Sequence, residues 1–203
     1  KEWVLMGRYA GNGSSDTPFS VSAWINPVDA TSFTIISKGV YNTDAEYLFW
    51  INGSKKLSFE LYANATNTYE LALYNTALTS YQGSWFHVCA TYNGVGGTSA
   101  NAGIKLYING ENVSTTLAGS GTYVAMENLA GNVRIGRLDT NYGNGKICDV
   151  AVWNTELDAN TVASIYNSGE PNNLTLSASY TAGSGVDKTA NLQAYYRMGN
   201  GTL

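Results

Sequence analysis

The sequence predicts an all-β fold: a two-sheet antiparallel sandwich with one short helix at about residues 158–168. Three observations support this prediction. Many short segments alternate apolar and polar residues or are rich in β-branched and aromatic residues, which is typical of strands. Gly, Asn and Pro separate these segments, as turns require, and a single segment has convincing helical periodicity. At 203 residues, the chain can bury the core of one sandwich without disulfides or a metal.

The predicted strands follow one another with turn residues between them. Asn52-Gly53 and Asn109-Gly110 each predict a tight hairpin turn, because both residue types tolerate positive φ. Residues 1–9 form a further short strand candidate. The other strands are predicted at residues 19–25, 34–36, 47–51, 57–62, 69–74, 85–92, 104–108, 113–117 and 147–153. This spacing, with turns between strands, favours a sandwich over a βαβ sheet.

The predicted helix follows directly after the strand at 147–153. Asp158 is the expected N-cap, and Leu157 and Val162 are spaced as a hydrophobic staple around it. Gly169 supplies the expected left-handed stop. One helix face is apolar and consists of Val162, Ile165 and Tyr166. We therefore expect a short helix that packs on an apolar surface of the sandwich.

Residues 171–203 form a polar and Gly-rich tail with one more strand, predicted at residues 192–198. That strand either closes the sandwich beside residues 3–6 or begins a following unit of a longer parent protein. Closure is favoured, because the strand at 1–9 needs a partner and unpaired edges promote aggregation. The sequence thus predicts a single domain over residues 1–203.

Five segments, in order along the chain, resemble the laminin-G and pentraxin-like jelly rolls. They are PFSVSAWINP at 18–27, WFHVCATYNG at 85–94, IKLYING at 104–110, NVRIGR at 132–137 and GKICDVAVWNTELDANTVASIYNSG at 145–169. These jelly rolls belong to the concanavalin A-like lectin/glucanase superfamily, and the resemblance covers about residues 18–170. It implies a concanavalin A-like jelly-roll sandwich. It implies no activity, because the superfamily includes lectins, adhesion modules and glycosidases.

Two cysteines, Cys89 and Cys148, lie in apolar strand patterns. Alternation places Cys148 on one strand face with Val150 and Val152. The sequence leaves open whether the cysteines pair, since it cannot place their Cα atoms within about 7 Å. Two separate buried thiols are favoured. The resemblance implies that Cys89 matches one half of the pentraxin disulfide and that Ser22 matches the other, so that bond is absent.

Composition limits the partners and the location. Only 13% of the residues are charged, and the net charge is −4. Nucleic acid requires a basic surface, so we do not expect it as a partner. No segment is apolar for long enough to span a membrane. A surface of Asn, Ser, Thr, Gly and Tyr is common in exported and virion proteins, so we expect an extracellular, cell-surface or virion location. Because the sequence begins at Lys1, we expect a piece excised from a larger protein.

The sequence predicts that the chain is not an enzyme. The resemblance implies that glycosidases of this superfamily carry clustered carboxylates on one strand, where one acid protonates the leaving group. The nearest pattern is Asp44-Ala45-Glu46, which a polar strand entry explains better. The single histidine, His87, lies inside a predicted strand and is interpreted as structural, because a catalytic base needs a free face and a presented nucleophile. A glycoside hydrolase is the least favoured hypothesis.

No cofactor is required, but calcium is left open. The resemblance implies two calcium positions, and the first has Cys148 in place of its carboxylate. At the second, Asp44 and Asp139 match, with Asp16 as a further candidate ligand. The acidic companions of Asp139 are replaced by Arg137 and a leucine, and an arginine repels a cation. The sequence thus predicts at most a weak calcium site at Asp44, Asp139 and Asp16, the alternative being solvated loop carboxylates.

Aromatic and amide side chains are the candidates for ligand contacts. The chain has 15 tyrosines, more than a core of this size needs, and a ring with one polar end suits the flat face of a neutral sugar. Tyr41, Asn141 and Tyr142 are the candidate ligand-binding residues, since the resemblance implies that their loops lie at one rim. The alternative is that they are ordinary exposed side chains. Three tryptophans are expected in the core: Trp24, Trp85 and Trp153.

Two functional hypotheses follow. The first is a non-catalytic recognition module that binds a glycan or a surface partner through rim loops. The second is a structural component of a virion or extracellular fibre, which would self-associate through the terminal strands at residues 3–6 and 192–198.

Overall fold

The computed structural model describes residues 10–198 and confirms the predicted two-sheet antiparallel jelly-roll sandwich. In chain order the strands are β1 (Phe19–Pro27), β2 (Phe33–Lys38), β3 (Tyr47–Ile51), β4 (Leu57–Ala63), β5 (Thr68–Tyr74), β6 (Phe86–Tyr92), β7 (Ile104–Ile108), β8 (Glu111–Asn112), β9 (Thr115–Ser120), β10 (Val133–Ile135), β11 (Arg137–Leu138), β12 (Asn141–Tyr142), β13 (Gly145–Trp153) and β14 (Leu192–Tyr196). The α-helices are α1 (Ala159–Tyr166) and α2 (Ala178–Thr181), and short 3₁₀ helices lie at Asn64–Thr66, Leu78–Tyr81, Gly97–Gly103, Asn167–Gly169 and Thr189–Asn191. Within residues 10–198 no helix is long and apolar enough to cross a membrane.

Two six-stranded sheets form the sandwich. The first sheet has the strand order β14-β13-β1-β6-β7-β8, and the second sheet has the order β10-β2-β3-β4-β5-β9. Strands β11 and β12 form a separate hairpin beside the second sheet. Every pairing is antiparallel.

The core lies between the inner faces of the two sheets. On β1, the inward residues Val21, Ala23 and Ile25 are 0% exposed, as the period of two in a strand requires. From the second sheet, Phe49 and Phe59 lie opposite each other on β3 and β4, with ring centroids 5.7 Å apart in a T-shaped contact. Because each such ring contributes up to about 3 kcal/mol by burial, this layer fixes the two sheets against each other.

A bulge at Asp149 changes the face on which Cys148 lies. The register of β13 against β1 shifts by one residue at this point, and Asp149 has a φ of +49°. Residues directly opposite each other share a face, and Cys148 lies opposite Trp24 on the outer face. Val150 and Val152 are in the inner core. The prediction that the three residues share one face is therefore wrong for Cys148.

Both cysteines are unpaired. Cys89 lies on β6 and Cys148 on β13, with β1 between them. Two strand spacings correspond to about 10 Å, beyond the separation that a disulfide can bridge. Ser22 lies directly opposite Cys89, so the position where the resemblance places the second half of the pentraxin disulfide is filled by a hydroxyl.

The start of α1 agrees with the prediction. The Asp158 carboxylate accepts a hydrogen bond from the Thr161 amide at 2.8 Å and thereby satisfies a free amide of the first turn. Leu157, Val162 and Ile165 are buried in a second apolar cluster, on the outer face of the first sheet. The helix thus docks through the predicted face.

The end of α1 differs from the prediction. The left-handed residue at the C-cap is Asn167, with a φ of +51° and its amide bonded to the Ala163 carbonyl, and Gly169 lies beyond it. Asn tolerates this conformation better than most residues, so the helix stops two residues earlier than the glycine would dictate. Tyr166, half-buried, stacks on Trp24 at 5.8 Å between ring centroids.

The tail packs on the outer face of the first sheet. Strand β14 pairs with β13, and α2 is a second, four-residue helix that the sequence did not predict. The Trp153 indole donates to the Tyr180 hydroxyl at 3.1 Å, and this hydroxyl donates to the Leu174 carbonyl at 2.7 Å. The strand predicted at 1–9, including the expected partner at residues 3–6, lies outside the described residues.

Two further predictions need correction. The strand predicted at 113–117 begins later, as β9 (Thr115–Ser120), and pairs with β5 in the second sheet, whereas the hairpin partner of β7 is β8 (Glu111–Asn112). Val113, between them, packs against the inter-sheet core, so the chain crosses from one sheet to the other there. Trp85 precedes β6 and is 45% exposed, whereas Trp24 and Trp153 are buried as predicted.

Candidate functional site

A carboxylate with two aromatic neighbours marks the outer face of the second sheet. Glu60 is 8% exposed and accepts hydrogen bonds from the Trp50 indole at 2.6 Å and the Ser58 hydroxyl at 2.9 Å. The Tyr62 hydroxyl donates to the other carboxylate oxygen. The alternation of β4 explains the arrangement, because Ser58, Glu60 and Tyr62 point outward while their neighbours enter the core.

These hydrogen bonds fix the orientation of two half-buried rings on the outer face of the second sheet. Burial, and after it the Glu60 carboxylate, raise the pKa of the Tyr62 phenol, so the phenol remains a donor at physiological pH. Hydrogen bonds to a charged acceptor are stronger than neutral ones. The Trp50 and Tyr62 rings are therefore held in fixed orientations by Glu60.

At the Trp50 end of this face lies a cavity of about 290 Å³, which we call the rim cavity. It forms where the β1–β2 loop and the β11–β12 hairpin meet the ends of β2 and β3. Its wall contains the predicted residues Asn141 and Tyr142, and Tyr142 is 69% exposed. The complete lining is Thr31, Ser32, Thr34, Trp50, Leu138, Asn141, Tyr142 and Asn144.

Tight contacts with β2 position the hairpin. The Ser37 hydroxyl donates to the Arg137 carbonyl at 2.8 Å, and the Gly136 amide donates to the Ile35 carbonyl at 3.0 Å. A Cβ at Gly143 would lie 3.1 Å from the Phe33 ring, so a larger residue would push the hairpin away. The Arg137 guanidinium lies 5.2 Å from the centroid of the Tyr142 ring, a cation–π contact that restrains an otherwise exposed ring.

The third predicted ligand-binding residue, Tyr41, lies at the other end of the same sheet face. Its ring is 47% exposed and contacts the Tyr62 ring edge-on at 5.6 Å. Tyr62 also contacts Tyr69 at 6.2 Å. These rings border a small pocket of about 20 Å³. The structure thus brings Asn141 and Tyr142 together and places Tyr41 apart from them, on the far side of Glu60.

The three predicted calcium ligands do not form one site. Asp16 is 9% exposed and accepts from the hydroxyls of Tyr92 and Tyr123 at 2.7 and 2.9 Å and from the Met126 amide at 2.8 Å. Burial raises the pKa of Asp16, against the effect of these hydrogen bonds. Through these hydrogen bonds the Asp16 carboxylate joins the loop that contains it to the chain near residue 126.

The other two carboxylates have different surroundings. Asp44 accepts from the Val40 amide at 2.6 Å within its own turn. Asp139 has a φ of +51°, and its Oδ1 is buried without a hydrogen-bond partner among the described residues. Across residues 10–198 no group of three or more His, Cys, Asp or Glu side chains is placed to hold a metal ion. Calcium binding through fewer carboxylates stays a prediction.

The two carboxylates considered for catalysis, Asp44 and Glu46, have separate structural roles. Asp44 caps its turn, whereas Glu46 is 0% exposed and forms an ion pair with Lys38. Glu46 also accepts from the Leu129 amide at 2.8 Å. A buried carboxylate with these partners ties the segment around residue 129 to the second sheet and has no path to a substrate.

His87 is 1% exposed on the outer face of the first sheet, beside Trp24 and Tyr166. Burial lowers the pKa of His87 to about 3, so the imidazole is neutral at physiological pH. A proton-transfer catalyst needs access to its substrate and a pKa near the working pH, and His87 has neither.

The sequence did not identify Trp50, Glu60 and Tyr62 as site residues. A signal for them exists: in the strands YLFWI and LSFELYA, these three occupy the phase opposite to the core residues. The outward phase of these strands thus carries one carboxylate between Trp50 on β3 and Tyr62 on β4. What the sequence cannot supply is the hydrogen bonding that joins the three.

A larger depression of about 400 Å³ lies on the first sheet beside the start of α1. Its one aromatic lining residue, Tyr107, is 2% exposed, and the Lys105–Glu156 ion pair at 2.7 Å occupies its wall. Without an exposed ring it lacks the flat apolar surface of the rim cavity.

Comparisons with known proteins identify the family to which this chain belongs. A family model described as the concanavalin A-like lectin/glucanases superfamily matches residues 9–163. The comparison with curated protein sequences gave no match.

Solved structures similar to this chain include the following three. A heptameric SAP-like pentraxin from Limulus polyphemus is 20% identical, with 87% of each chain covered and a TM-score of 0.51. A proposed carbohydrate binding protein from Bacteroides ovatus is 18% identical over 89% of this chain and 45% of that chain, with a TM-score of 0.53. The binding domain of botulinum neurotoxin serotype D/C is 22% identical over 75% of this chain and 36% of that chain, with a TM-score of 0.52. The chain therefore spans less than half of the latter two, and the similarity at these identities is one of fold.

Proposed function

The chain belongs to the concanavalin A-like lectin/glucanases superfamily, and from that premise we propose that it is a non-catalytic module that binds neutral glycans at the rim cavity. The observation that carries the proposal is the lining of this cavity. It combines two aromatic rings, Trp50 and Tyr142, with three hydroxyls and two amides. Concave sites with apolar walls and a few convergent polar groups are the usual form of small-molecule sites.

Each part of the lining has a counterpart on a sugar. The faces of Trp50 and Tyr142 provide flat apolar surface for the C–H side of a pyranose ring. Asn141 and Asn144 each present a donor and an acceptor to neighbouring hydroxyl groups. The lining contains no charged side chain, and the Arg137 guanidinium beside it is engaged with the Tyr142 ring and the Asp139 carbonyl. These features favour a neutral sugar.

A hydrolytic role has little support at this position. Glycosidases flank the scissile bond with two carboxyl groups about 5–10 Å apart. Glu60, beside Trp50, already accepts hydrogen bonds from three side chains, and Asp29 accepts from the amide and the hydroxyl of the lining residue Thr31. These committed carboxylates do not make an acid and nucleophile pair.

The competing proposal is a structural role, as a virion or fibre component that self-associates through its terminal strands. Of these strands β14 is described, and it pairs with β13 on one side. Either role is compatible with an extracellular, cell-surface or virion location, which is part of the proposal. A surface protein partner at the rim cavity is a further outcome of the test below.

A glycan array, probed with and without EDTA, tests the proposal. We expect binding to neutral glycans, a loss of about tenfold or more in affinity for Tyr142→Ala, and less than about 0.5 kcal/mol change in stability, because the side chain is exposed. Trp85→Ala is the matched control, since Trp85 is an exposed aromatic residue that is absent from the cavity lining.

Three results would redirect the interpretation. Equal losses for Tyr142→Ala and Trp85→Ala would move the site away from the rim cavity. No glycan binding, combined with higher-order assembly in light scattering, would favour the structural role. Binding that EDTA abolishes would add a calcium ion to the site.

A further inference from the structure

We propose that the chain between β13 and β14, residues 154–191, is a cover on the outer face of the first sheet, and that acid releases it through protonation of His87. The rim cavity lies on the other sheet, so the cover is independent of the proposed function. Under the cover, His87 is 1% exposed, and neither ring nitrogen has a hydrogen-bond partner among the described residues. A neutral imidazole can donate one hydrogen bond and accept another, and buried polar groups without partners are rare. His87 therefore costs stability at a position where an apolar side chain would not.

The surroundings of His87 fix the ring and exclude water. The His87 amide donates to the side chain of Asn109, and its carbonyl accepts from the Asn109 amide, both at 2.9 Å. The imidazole centroid lies 5.5 Å from that of the Trp24 ring and 6.1 Å from that of Tyr166, the last residue of α1. The gap beside the ring is too narrow for a water molecule. An imidazolium, which has a donor at each nitrogen, thus finds no acceptor while the cover is closed.

The titratable groups around His87 do not offset a positive charge. Asp149 lines the same gap, but its carboxylate already accepts from the Tyr195 hydroxyl at 2.6 Å and lies 3.8 Å from the Arg197 guanidinium. Helix α1 has no charged side chain. The titratable or charged side chains on the elements around the ring are Cys89 on β6, Lys146, Cys148 and Asp149 on β13, Tyr166 on α1, and Tyr195 and Arg197 near the end of the described chain.

Protonation therefore favours the open form of the cover. In the open form the imidazole is in water, where its pKa is 6.5, whereas burial lowers the pKa of His87 to about 3 in the closed form. A base with a lowered pKa stabilises the closed form fully above about pH 6.5, and this contribution is lost as the pH falls toward about 3. The equilibrium constant for opening should rise roughly 70-fold between about pH 7 and about pH 4.5.

The cover can open while the sandwich stays folded. Its apolar side chains, which include Ile165 and Leu174, belong to a cluster separate from the core between the sheets. Both of its ends are anchored, since β13 pairs with β14. Regions that pack outside the main core are the ones that open locally. Burial raises the pKa of Asp16 and of Glu46, so these carboxyl groups favour the folded sandwich as the pH falls.

Hydrogen exchange of the full chain at about pH 7 and about pH 4.5 tests the inference. The chain has one histidine, so His87→Phe removes the proposed trigger and keeps an aromatic ring. After correction for the intrinsic exchange rate, protection of the amides of residues 162–166 should fall roughly 70-fold in the unaltered protein. The amides of β3 should keep their protection. His87→Phe should show no such fall, whereas Ile165→Val, which weakens docking without a titratable group, should show the same fall from a lower starting protection.

Three results would overturn the acid-released cover. The first is equal protection of α1 at both pH values in the unaltered protein. The second is a fall in His87→Phe as large as in the unaltered protein, which would assign the acid sensitivity to other groups. The third is loss of protection in α1 and β3 together, because the whole sandwich would then be opening.

Nuclear magnetic resonance of the single imidazole supplies a check that needs no variant, should His87→Phe fail to fold. The ring signal should change with pH only in step with the loss of α1 protection. Titration of the ring near pH 6.5 with α1 still protected would show that the closed cover leaves His87 accessible, and the proposal would be wrong.

Discussion

Replacing Lys38 by Met should destabilise the protein strongly at alkaline pH and much less in mild acid. Lys38 and Glu46 form an ion pair whose side chains are 1% and 0% exposed. Without the ammonium group, the buried carboxylate retains the Leu129 amide, at 2.8 Å, as its donor. Loss of one partner from a buried pair costs about 3–5 kcal/mol. Met occupies much of the volume of the lysine stem, so the cost should arise mainly from charge.

The pH dependence follows from the carboxyl group. Burial raises the pKa of Glu46 from 4.5 to about 7, although Lys38 and the Leu129 amide act against it. A carboxyl pKa that is higher in the folded state favours folding fully below about pH 4.5, and this contribution is lost as the pH rises through about 7. Without Lys38 the folded-state pKa of Glu46 rises further. The cost of the substitution should therefore develop above about pH 7, where the unaltered protein ionises Glu46.

Urea unfolding at about pH 5 and about pH 8.5 measures this cost. The matched control is Lys105→Met, which breaks the ion pair with Glu156 whose side chains are 52% and 30% exposed. Exposed pairs contribute about 0–1 kcal/mol, so this variant should lose little at either pH. The double variant Lys38→Met/Glu46→Leu should recover most of the lost stability. Equal costs for Lys38→Met at both pH values, or a cost no larger than that of Lys105→Met, would refute the reasoning.

Three other features lead to direct tests. Asp158→Ala should lower the free energy of unfolding by about 1 kcal/mol through loss of the cap. Ile165→Ala should lower it by about 2–5 kcal/mol through a cavity beneath α1. Near-zero effects of both variants in urea melts would mean that the helix does not dock. Mass spectrometry of unfolded, alkylated protein should find two added alkyl groups without reductant. If alkyl groups were added only after treatment with reductant, the prediction of free thiols would be wrong. The calcium hypothesis predicts a melting temperature that rises at millimolar CaCl2 and does not rise in Asp139→Asn; identical melts with CaCl2 and EDTA would eliminate it.

Local sequence pattern predicted the regular parts of the sandwich. The bounds of β3 and β7 agree residue for residue with the prediction, because both are short, largely apolar runs that end at an Asn-Gly turn. Asp158 was identified as the N-cap because a capping carboxylate acts within one turn of its own position. Where the determinant is local, the sequence was sufficient.

The errors arose where the position of a residue depends on strands that are distant in the sequence. The face of Cys148 depends on the bulge at Asp149, which is visible only in the register against β1. Trp85 matches a strand pattern, yet it is exposed because pairing begins one residue later. The strand predicted at 113–117 starts only at Thr115, because β8 before it pairs with β7 in the first sheet and β9 pairs with β5 in the second.

The candidate site was predictable in part for the same reason. Asn141 and Tyr142 were identified as rim residues, and they do line the rim cavity. Its other walls come from the β1–β2 loop and from β3, segments that become neighbours only after the sandwich closes. The role of Glu60 depends on three donors, of which Trp50 belongs to another strand. No property of residue 60 alone distinguishes it from a solvated carboxylate.

The position of β1 in the first sheet has a consequence for biosynthesis. The Ser20 hydroxyl donates to the Thr155 carbonyl 135 residues further along the chain, and the partner strand β13 is synthesised correspondingly late. At roughly 5–20 residues per second, translation of that stretch takes about 7–27 s, far longer than a loop takes to close. Until then β1 lacks its neighbour on one side, and sheets built from such distant pairings fold slowly. The emerging chain should therefore depend on chaperones throughout its synthesis, and a ribosome that stalls before β13 should release an aggregation-prone fragment.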